Sequence, residues 1–312
     1  MVLCFLWSCV SSGIDDTSLV QEETRTYERD AELRITDGQV WGTHNSYHIA
    51  PSTDAVAEWN YTHPPLDEQL TQGVRQFEID VVFDPDREEI LVQHIPILDD
   101  QSTCDRFVDC LQTIRDWSDA HPWHFPIQIL VEPKNEVASW DVTGHLDEVD
   151  EQIQSILGDR IWTPAMQQGT SSSLRDSVLE HGWPTLEVLR GHVVFALLDR
   201  GGPQGEYTRD LRDVSDRAMF PLVDAEHEFA AYFLRDDPFQ NGISELAEQG
   251  FLIRTRGDSG LVFDEQRLAQ AFAVGAHAIS VDTQESLSQI NAEHPVLCTP
   301  LATSECSDTM LE

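Results

Sequence analysis

Lysine is almost missing from this chain: Lys134 is the only one, and every other strongly basic residue is an arginine. Bases of both kinds number 19 against 56 acids, a formal charge of −37. A surface this acidic repels phosphate backbones and anionic membranes at long range, which excludes nucleic acid as a partner. It stays soluble in concentrated salt, where screening removes its self-repulsion. That fits a salt-adapted source or an ordinary acidic secreted protein. Long apolar runs are also missing, and no stretch reaches the roughly 20 residues that a membrane-spanning helix needs. Neither C-x-x-C nor H-E-x-x-H occurs, so the usual zinc spacings are excluded. No internal repeat divides the chain.

The six cysteines form three neighbouring pairs: Cys4 with Cys9, Cys104 with Cys110, and Cys298 with Cys306. Close spacing in an extracytoplasmic chain predicts local disulfides at Cys104–Cys110 and Cys298–Cys306. Met1 to Val10 is short and apolar and reads as an export-signal remnant, although it lacks a basic start. Leu6-Trp7-Ser8-Cys9 is similar to a bacterial lipoprotein box, which would make Cys9 a lipid-bearing residue; an apolar tail is the alternative. The chain is therefore expected to be extracytoplasmic, secreted or anchored through Cys9. Residues 1–34 read as this remnant plus an acidic linker, and residues 35–312 as a single catalytic domain.

From residue 35 onward, short apolar runs alternate with amphipathic segments. Strands are predicted at Gln39 to Thr43, Arg75 to Phe83, Ile90 to Gln93, Ile127 to Val131 and His192 to Leu198. Later ones are predicted near Phe220, Phe229 to Leu234, Phe251 to Ile253 and Ala278 to Val281. Helices are predicted over Leu66 to Gln72, Cys104 to Ala120, Val142 to Leu157 and Gln266 to Val274. This alternation predicts an α/β fold, an irregular (β/α)8 barrel of the TIM type. In such barrels the reactive groups sit at the C-terminal strand ends. His44-Asn45, Glu78-x-Asp80, His94 and Glu132-x-Lys134 all fall at predicted ends. Residues two apart in a strand share a face, so Glu78 points with Asp80 and Glu132 with Lys134. Three converging carboxylates repel one another unless a cation lies between them. Their oxygens, with the amide oxygen of Asn45, suit calcium or magnesium better than zinc.

The segment Trp41-Gly42-Thr43-His44-Asn45-Ser46-Tyr47 resembles the signature of calcium-dependent phosphatidylinositol-specific phospholipases C. Tyr61 to Leu70, Gly73 to Asp80, Trp117 to Pro122, Pro126-Ile127, Glu132-Pro133-Lys134, Arg254-Thr255-Arg256 and Gly275 to Asp282 resemble the bacterial branch of that family. The resemblance implies a phospholipase C-like barrel with calcium held by Asn45, Glu78, Asp80 and Glu132, and with His44 and His94 as catalytic histidines. It implies cleavage of phosphatidylinositol to diacylglycerol and a cyclic inositol phosphate during transient contact with a membrane surface. His44 would donate to the phosphoryl oxygens and His94 would protonate the departing oxygen. Lys134 would hold phosphate or a ring hydroxyl, or orient Glu132. Arg254 and Asp282 would contact the headgroup or close the barrel by a salt bridge. His48, His63 and His121 are expected to pack or cap. With so little basic charge, the unphosphorylated lipid is the expected substrate. The alternatives are a glycerophosphodiester phosphodiesterase acting on a glycerophosphodiester, and a catalytically inert headgroup-binding lipoprotein. The first is disfavoured because its usual His-Arg-Gly start is replaced here by His44-Asn45-Ser46.

Overall fold

Along Gln76–Asp84 the odd-numbered residues Phe77, Ile79 and Val81 are apolar while Gln76, Glu78 and Asp80 are polar, yet all six are buried. Only a strand covered on both faces reconciles these observations. The computed structural model describes residues 27–52, 56–135, 137 and 139–312 and shows that arrangement. Cys4, Cys9 and the export- or lipoprotein-like segment lie outside the described residues.

The strands are β1 (Gly38–Thr43), β2 (Gln76–Asp84), β3 (Glu89–Val92), β4 (Ile127–Pro133), β5 (Val193–Leu197), β6 (Met219–Pro221), β7 (Tyr232–Leu234), β8 (Leu252–Arg256), β9 (Ala278–Val281) and β10 (Val296–Cys298). Eight of them run parallel in the order β6-β5-β4-β2-β1-β9-β8-β7. Among the described residues no ladder joins β6 to β7, so the barrel is nearly closed. The fold is the expected irregular (β/α)8 barrel. Beyond expectation, β10 pairs antiparallel with β1, Gly38 opposite Cys298 and Val40 opposite Val296.

The outward side chains of β2 and β4 meet helices α1 (Leu66–Gln72), α2 (Phe107–Ala120) and α3 (Leu146–Leu157). Phe77, Ile79, Ile129 and Val131 pack there against Leu70, Leu111, Ile114, Val149 and Ile153. The inward residues form polar layers, with Gln76 and Gln128 in register and Tyr232 donating to Gln128 Oε1 at 2.9 Å. Gly42 is required beside this layer, because a Cβ there would lie 2.0 Å from Gln76 Oε1. Gly73 stops α1 at φ +107°, a left-handed cap that lets the chain turn into β2.

Both expected disulfides are present, Cys104–Cys110 and Cys298–Cys306. His121 caps α2, its ring Nδ1 donating to Trp117 O at 2.8 Å while it stacks on the Trp117 ring. Upstream of β1, Leu33 is buried and Arg190 donates to Asp30 at 2.7 and 2.8 Å.

Two buried histidines tie the fold to pH. Burial pushes His124 and His277 down to about 4, and His277 Nδ1 accepts from Ile253 N at 3.1 Å. A second ring proton would displace that backbone donor. The native affinity for protons lies below the unfolded one, near 6.5, so the stabilisation is complete above that pH. It is lost as pH falls toward 4, on the order of 3 kcal/mol per ring. Urea midpoints in high salt should therefore fall between neutral pH and pH ~4.5. The fall should be shallower in His277→Asn, and an identical slope in both proteins would exclude His277 as a contributor.

Candidate active site

β1 leads into His44-Asn45-Ser46, and the turn is built around Asn45 at φ +45°, a left-handed conformation that asparagine tolerates. Ser46 fastens this turn to β2: its N–H donates to Glu78 O and its Oγ accepts from Glu78 N, both at 2.9 Å. Gln69 on α1 braces it from outside, donating to Ser46 O at 2.7 Å. Glu78 is thereby fixed beside the first histidine, with Oε1 3.4 Å from His44 Nε2.

The other His44 nitrogen, Nδ1, lies 3.2 Å from Asp282 Oδ1. Burial lowers the proton affinity of His44, but the Glu78 and Asp282 carboxylates outweigh it and leave the imidazole above its ordinary range. Asp282 stays below the usual carboxylate range despite its burial, because His44 and Arg256 hold it. Arg256 donates to Asp282 Oδ2 at 2.5 Å. The loop carrying Asp282 is gathered by buried Asp258, which accepts from Asp282 N at 2.9 Å, Thr283 N at 3.0 Å, Thr283 Oγ1 at 2.8 Å and Ser286 Oγ at 3.0 Å.

Glu78, Asp80 and Glu132 converge so closely that one oxygen from each lies within 4.8 Å of the others. Part of their mutual repulsion is met by the protein itself. Lys134 Nζ is 3.0 Å from Asp80 Oδ2 and 2.8 Å from Glu132 Oε1. Burial works against the Lys134 ammonium, but the two carboxylates raise its proton affinity. Arg254 Nη2 donates to Glu78 Oε2 at 2.6 Å and to Ser280 Oγ at 3.2 Å, and its Nη1 pairs with Asp236. Arg254 and Asp282 thus form salt bridges across the barrel, though not with each other.

Asp80 is still under-served. Both its oxygens are buried without an aligned hydrogen-bond donor among the described residues, the nearby ammonium notwithstanding. Burial and then Glu132 push its carboxyl up to about 8. Hard carboxylate oxygens packed this tightly, two of the three groups buried, fit a divalent cation of the calcium type. Asn45 is buried at the same strand end.

His94 arrives by a route that the strand-end rule does not describe. β3 is antiparallel to β2 (Val81 opposite Val92), so its end does not belong to the parallel set. The β2–β3 hairpin stands above the mouth and folds the chain back, returning His94 toward the barrel. Asp99 Oδ2 then accepts from His94 Nδ1 at 2.7 Å, and Asp99 Oδ1 lies 2.9 Å from His48 Nε2. His48 is linked to the first motif through its N–H, which donates to Asn45 O at 2.9 Å. His63 Nε2 donates to His44 O at 3.1 Å, and burial pushes His63 down to about 4, a neutral packing residue as expected.

Of the residues that hold the site, Asp99, Asp236 and Asp258 carry no spacing signal, while Arg256 and Ser280 lie in family-like segments that assign them no role. The three aspartates lie on loops, Arg256 ends β8 and Ser280 lies in β9, and only the barrel brings them together.

A family model of Ca2+-dependent phosphoinositide phospholipase C matches residues 33–90 and 86–300. The fold superposes on a Ca2+-dependent phosphatidylinositol-specific phospholipase C from Streptomyces antibioticus with a TM-score of 0.65 at 21% identity, covering 82% of this chain and 96% of that one. It also superposes on the calcium-dependent phosphoinositol-specific phospholipase C of a Gram-negative Pseudomonas species with a TM-score of 0.62 at 16% identity, covering 86% and 96%. No curated protein is detectably similar in sequence. The extent of the family match, which takes in the His44, Glu78, Asp80, His94 and Glu132 segments, assigns the chain: it belongs to the Ca2+-dependent phosphoinositide phospholipase C family.

Proposed function

We propose that this protein cleaves phosphatidylinositol into diacylglycerol and a cyclic inositol phosphate, with slower hydrolysis of the cyclic product. The observation that carries the reading is His44 seated 3.4 Å from Glu78, within an acidic cluster fit for calcium. Asn45, Glu78, Asp80 and Glu132 would hold the ion. When bound, calcium eases loss of the proton from the attacking inositol hydroxyl and neutralises charge that develops on the phosphoryl group.

The remaining steps belong to side chains. A carboxylate of the cluster takes the hydroxyl proton. His44, whose proton affinity is raised by Glu78 and Asp282, donates to the phosphoryl oxygens. Asp99 occupies Nδ1 of His94, which leaves Nε2 to protonate the departing glycerol oxygen. Lys134 is engaged by Asp80 and Glu132, so the single lysine is not free to read ring phosphates, and the unphosphorylated lipid is the substrate. Arg254 keeps Glu78 in place from below.

The test follows diacylglycerol and inositol phosphates together, from phosphatidylinositol vesicles with calcium or chelator. Calcium-dependent release of both supports the reading. Glycerol phosphate from glycerophosphocholine, with no diacylglycerol from phosphatidylinositol, overturns it.

The mouth is also where apolar surface is exposed. Among large apolar side chains of the described residues, the four most exposed are Ile97 (73%), Leu98 (64%), Val262 (63%) and Phe239 (57%). All lie on loops that follow β3, β7 and β8. We infer that these loops rest on the lipid surface while the acidic remainder stays in water. Changing Ile97, Leu98 and Phe239 to serine should weaken vesicle binding by about tenfold or more per 1.4 kcal/mol of burial lost, and leave cleavage of a monomeric short-chain substrate unchanged. Sedimentation with vesicles measures the first, and equal losses on both substrates would refute the docking role. No helix among the described residues is long and apolar enough to cross a membrane. The two disulfides fit an oxidising compartment, so we place the protein outside the cytoplasm, secreted or anchored through Cys9.

A further inference from the structure

We infer that His48 is a positioning residue for His94, acting through Asp99, and that its contribution is confined to expulsion of the leaving group. The inference rests on the reading of His94 as the acid that protonates the departing oxygen.

Asp99 is fully buried and grips two imidazoles at once, Oδ2 on His94 Nδ1 at 2.7 Å and Oδ1 on His48 Nε2 at 2.9 Å. The two histidines are held differently. His94 keeps partial exposure and only one ring nitrogen bound within this pair. His48 is fully buried and fixed on every side. Its Nδ1 donates to Tyr61 O at 2.9 Å, its ring stacks on Tyr61 with centroids 4.3 Å apart, its N–H donates to Asn45 O, and its carbonyl accepts from His63 N. A fixed, buried ring therefore holds one carboxylate oxygen, and the carboxylate in turn aims the more exposed ring.

The hydrogen-bond roles agree with this order. Nδ1 of His48 faces a carbonyl and must carry a hydrogen. Nε2 faces a carboxylate, which also accepts, so a hydrogen occupies that contact too and makes it charge-assisted. Without His48, Oδ1 of Asp99 would be buried with no partner, and the carboxylate could turn away from His94. Loops such as the one from His94 to Asp99 have no ladder to fix them beyond the Ile95–Asp99 bridge, so a side-chain anchor has a defined task here.

A general acid matters in proportion to how poor the leaving group is. Diacylglycerol leaves as a poor alkoxide, whereas a nitrophenolate leaves readily without a proton. His48→Leu, which removes the donor at similar volume, should lower kcat on phosphatidylinositol by roughly a hundredfold with little change in KM. On a nitrophenyl ester of inositol phosphate it should change kcat by less than about threefold. His48→Gln, which can still donate to Asp99, should restore kcat on the lipid to within about tenfold of the parent.

Equal losses of His48→Leu on both substrates would show a merely structural role and overturn the inference, as would full activity on the lipid. If His48→Leu does not fold, the split between substrates in His48→Gln decides in its place. His94→Ala run in parallel separates the two claims. If His94→Ala shows no dependence on the leaving group, the acid assignment itself fails. If His94→Ala shows it and the folded His48 variant does not, only the role of His48 fails.

Discussion

Chelation should abolish turnover of phosphatidylinositol, and the calcium concentration that restores it should climb steeply as pH falls below about 8. The direction follows from Asp80. Its carboxyl is pushed up to about 8 by burial and by Glu132, so at neutral pH a proton would compete with an ion for the same oxygens. Each unit of pH below that value should cost about tenfold in apparent affinity, and the dependence should flatten above it. Calorimetry in buffers of different ionisation enthalpy should detect a proton released on binding. On the proposed assignment, Asp80→Asn removes the competitor and a charged ligand together. It should raise the calcium requirement about a hundredfold at pH ~8 and make it nearly independent of pH. Glu78→Gln should also raise the requirement, since it removes a proposed ligand and leaves Arg254 facing a neutral amide. An Asp80→Asn protein with the same pH slope as the parent would take Asp80 out of the metal site.

The second large effect is expected at the histidines. His94→Ala should lower kcat on phosphatidylinositol by roughly 10³ to 10⁴, within the range for loss of a general acid, and leave calcium binding intact. His44→Ala should cost about as much, through lost stabilisation of charge on the phosphoryl group. The two should differ in what rescues them. In its proposed role His44 would serve every substrate, so an activated leaving group should not help His44→Ala. Rapid-quench turnover with saturating calcium, beside calcium titrations of the same variants, measures both quantities. Unchanged turnover in His94→Ala would refute its assignment, and weakened calcium binding would move it into the metal site.

The barrel could be read in the sequence because its strands carry two superimposed signals, apolar runs and period two. Glu78 and Asp80 stood out as two charges on one face of a strand whose other face is apolar, and Lys134 stood out by its rarity. Glu132 and Lys134 meet as their spacing predicts. What the sequence left hidden follows from geometry that no local pattern encodes. Asp99 is a loop residue in a run of apolar and acidic neighbours, and its two histidines lie 5 positions before it and 51 positions before it. Asp258 looks like any acid before a turn, yet it gathers four donors from a segment about 25 residues onward. β10 was missed because three residues after His294-Pro295 look like loop, and only the free lower edge of β1 makes them a strand.

The pairing of β1 with β9 and β10 has a consequence for biogenesis. β1 is the first strand of the barrel to emerge, but the partners of Val40, Ala278 and Val296, follow more than 230 residues later. Until they are made, one side of β1 is a bare edge able to template pairing with other nascent chains. Contacts this distant in sequence also slow closure, so the barrel is completed late, after most of its helices have docked. Chains interrupted before residue 278 should therefore accumulate in insoluble material, whereas full-length chains that receive both partners should escape it. Strong acidity across the surface then acts as protection during that interval, since like charge keeps half-made barrels apart.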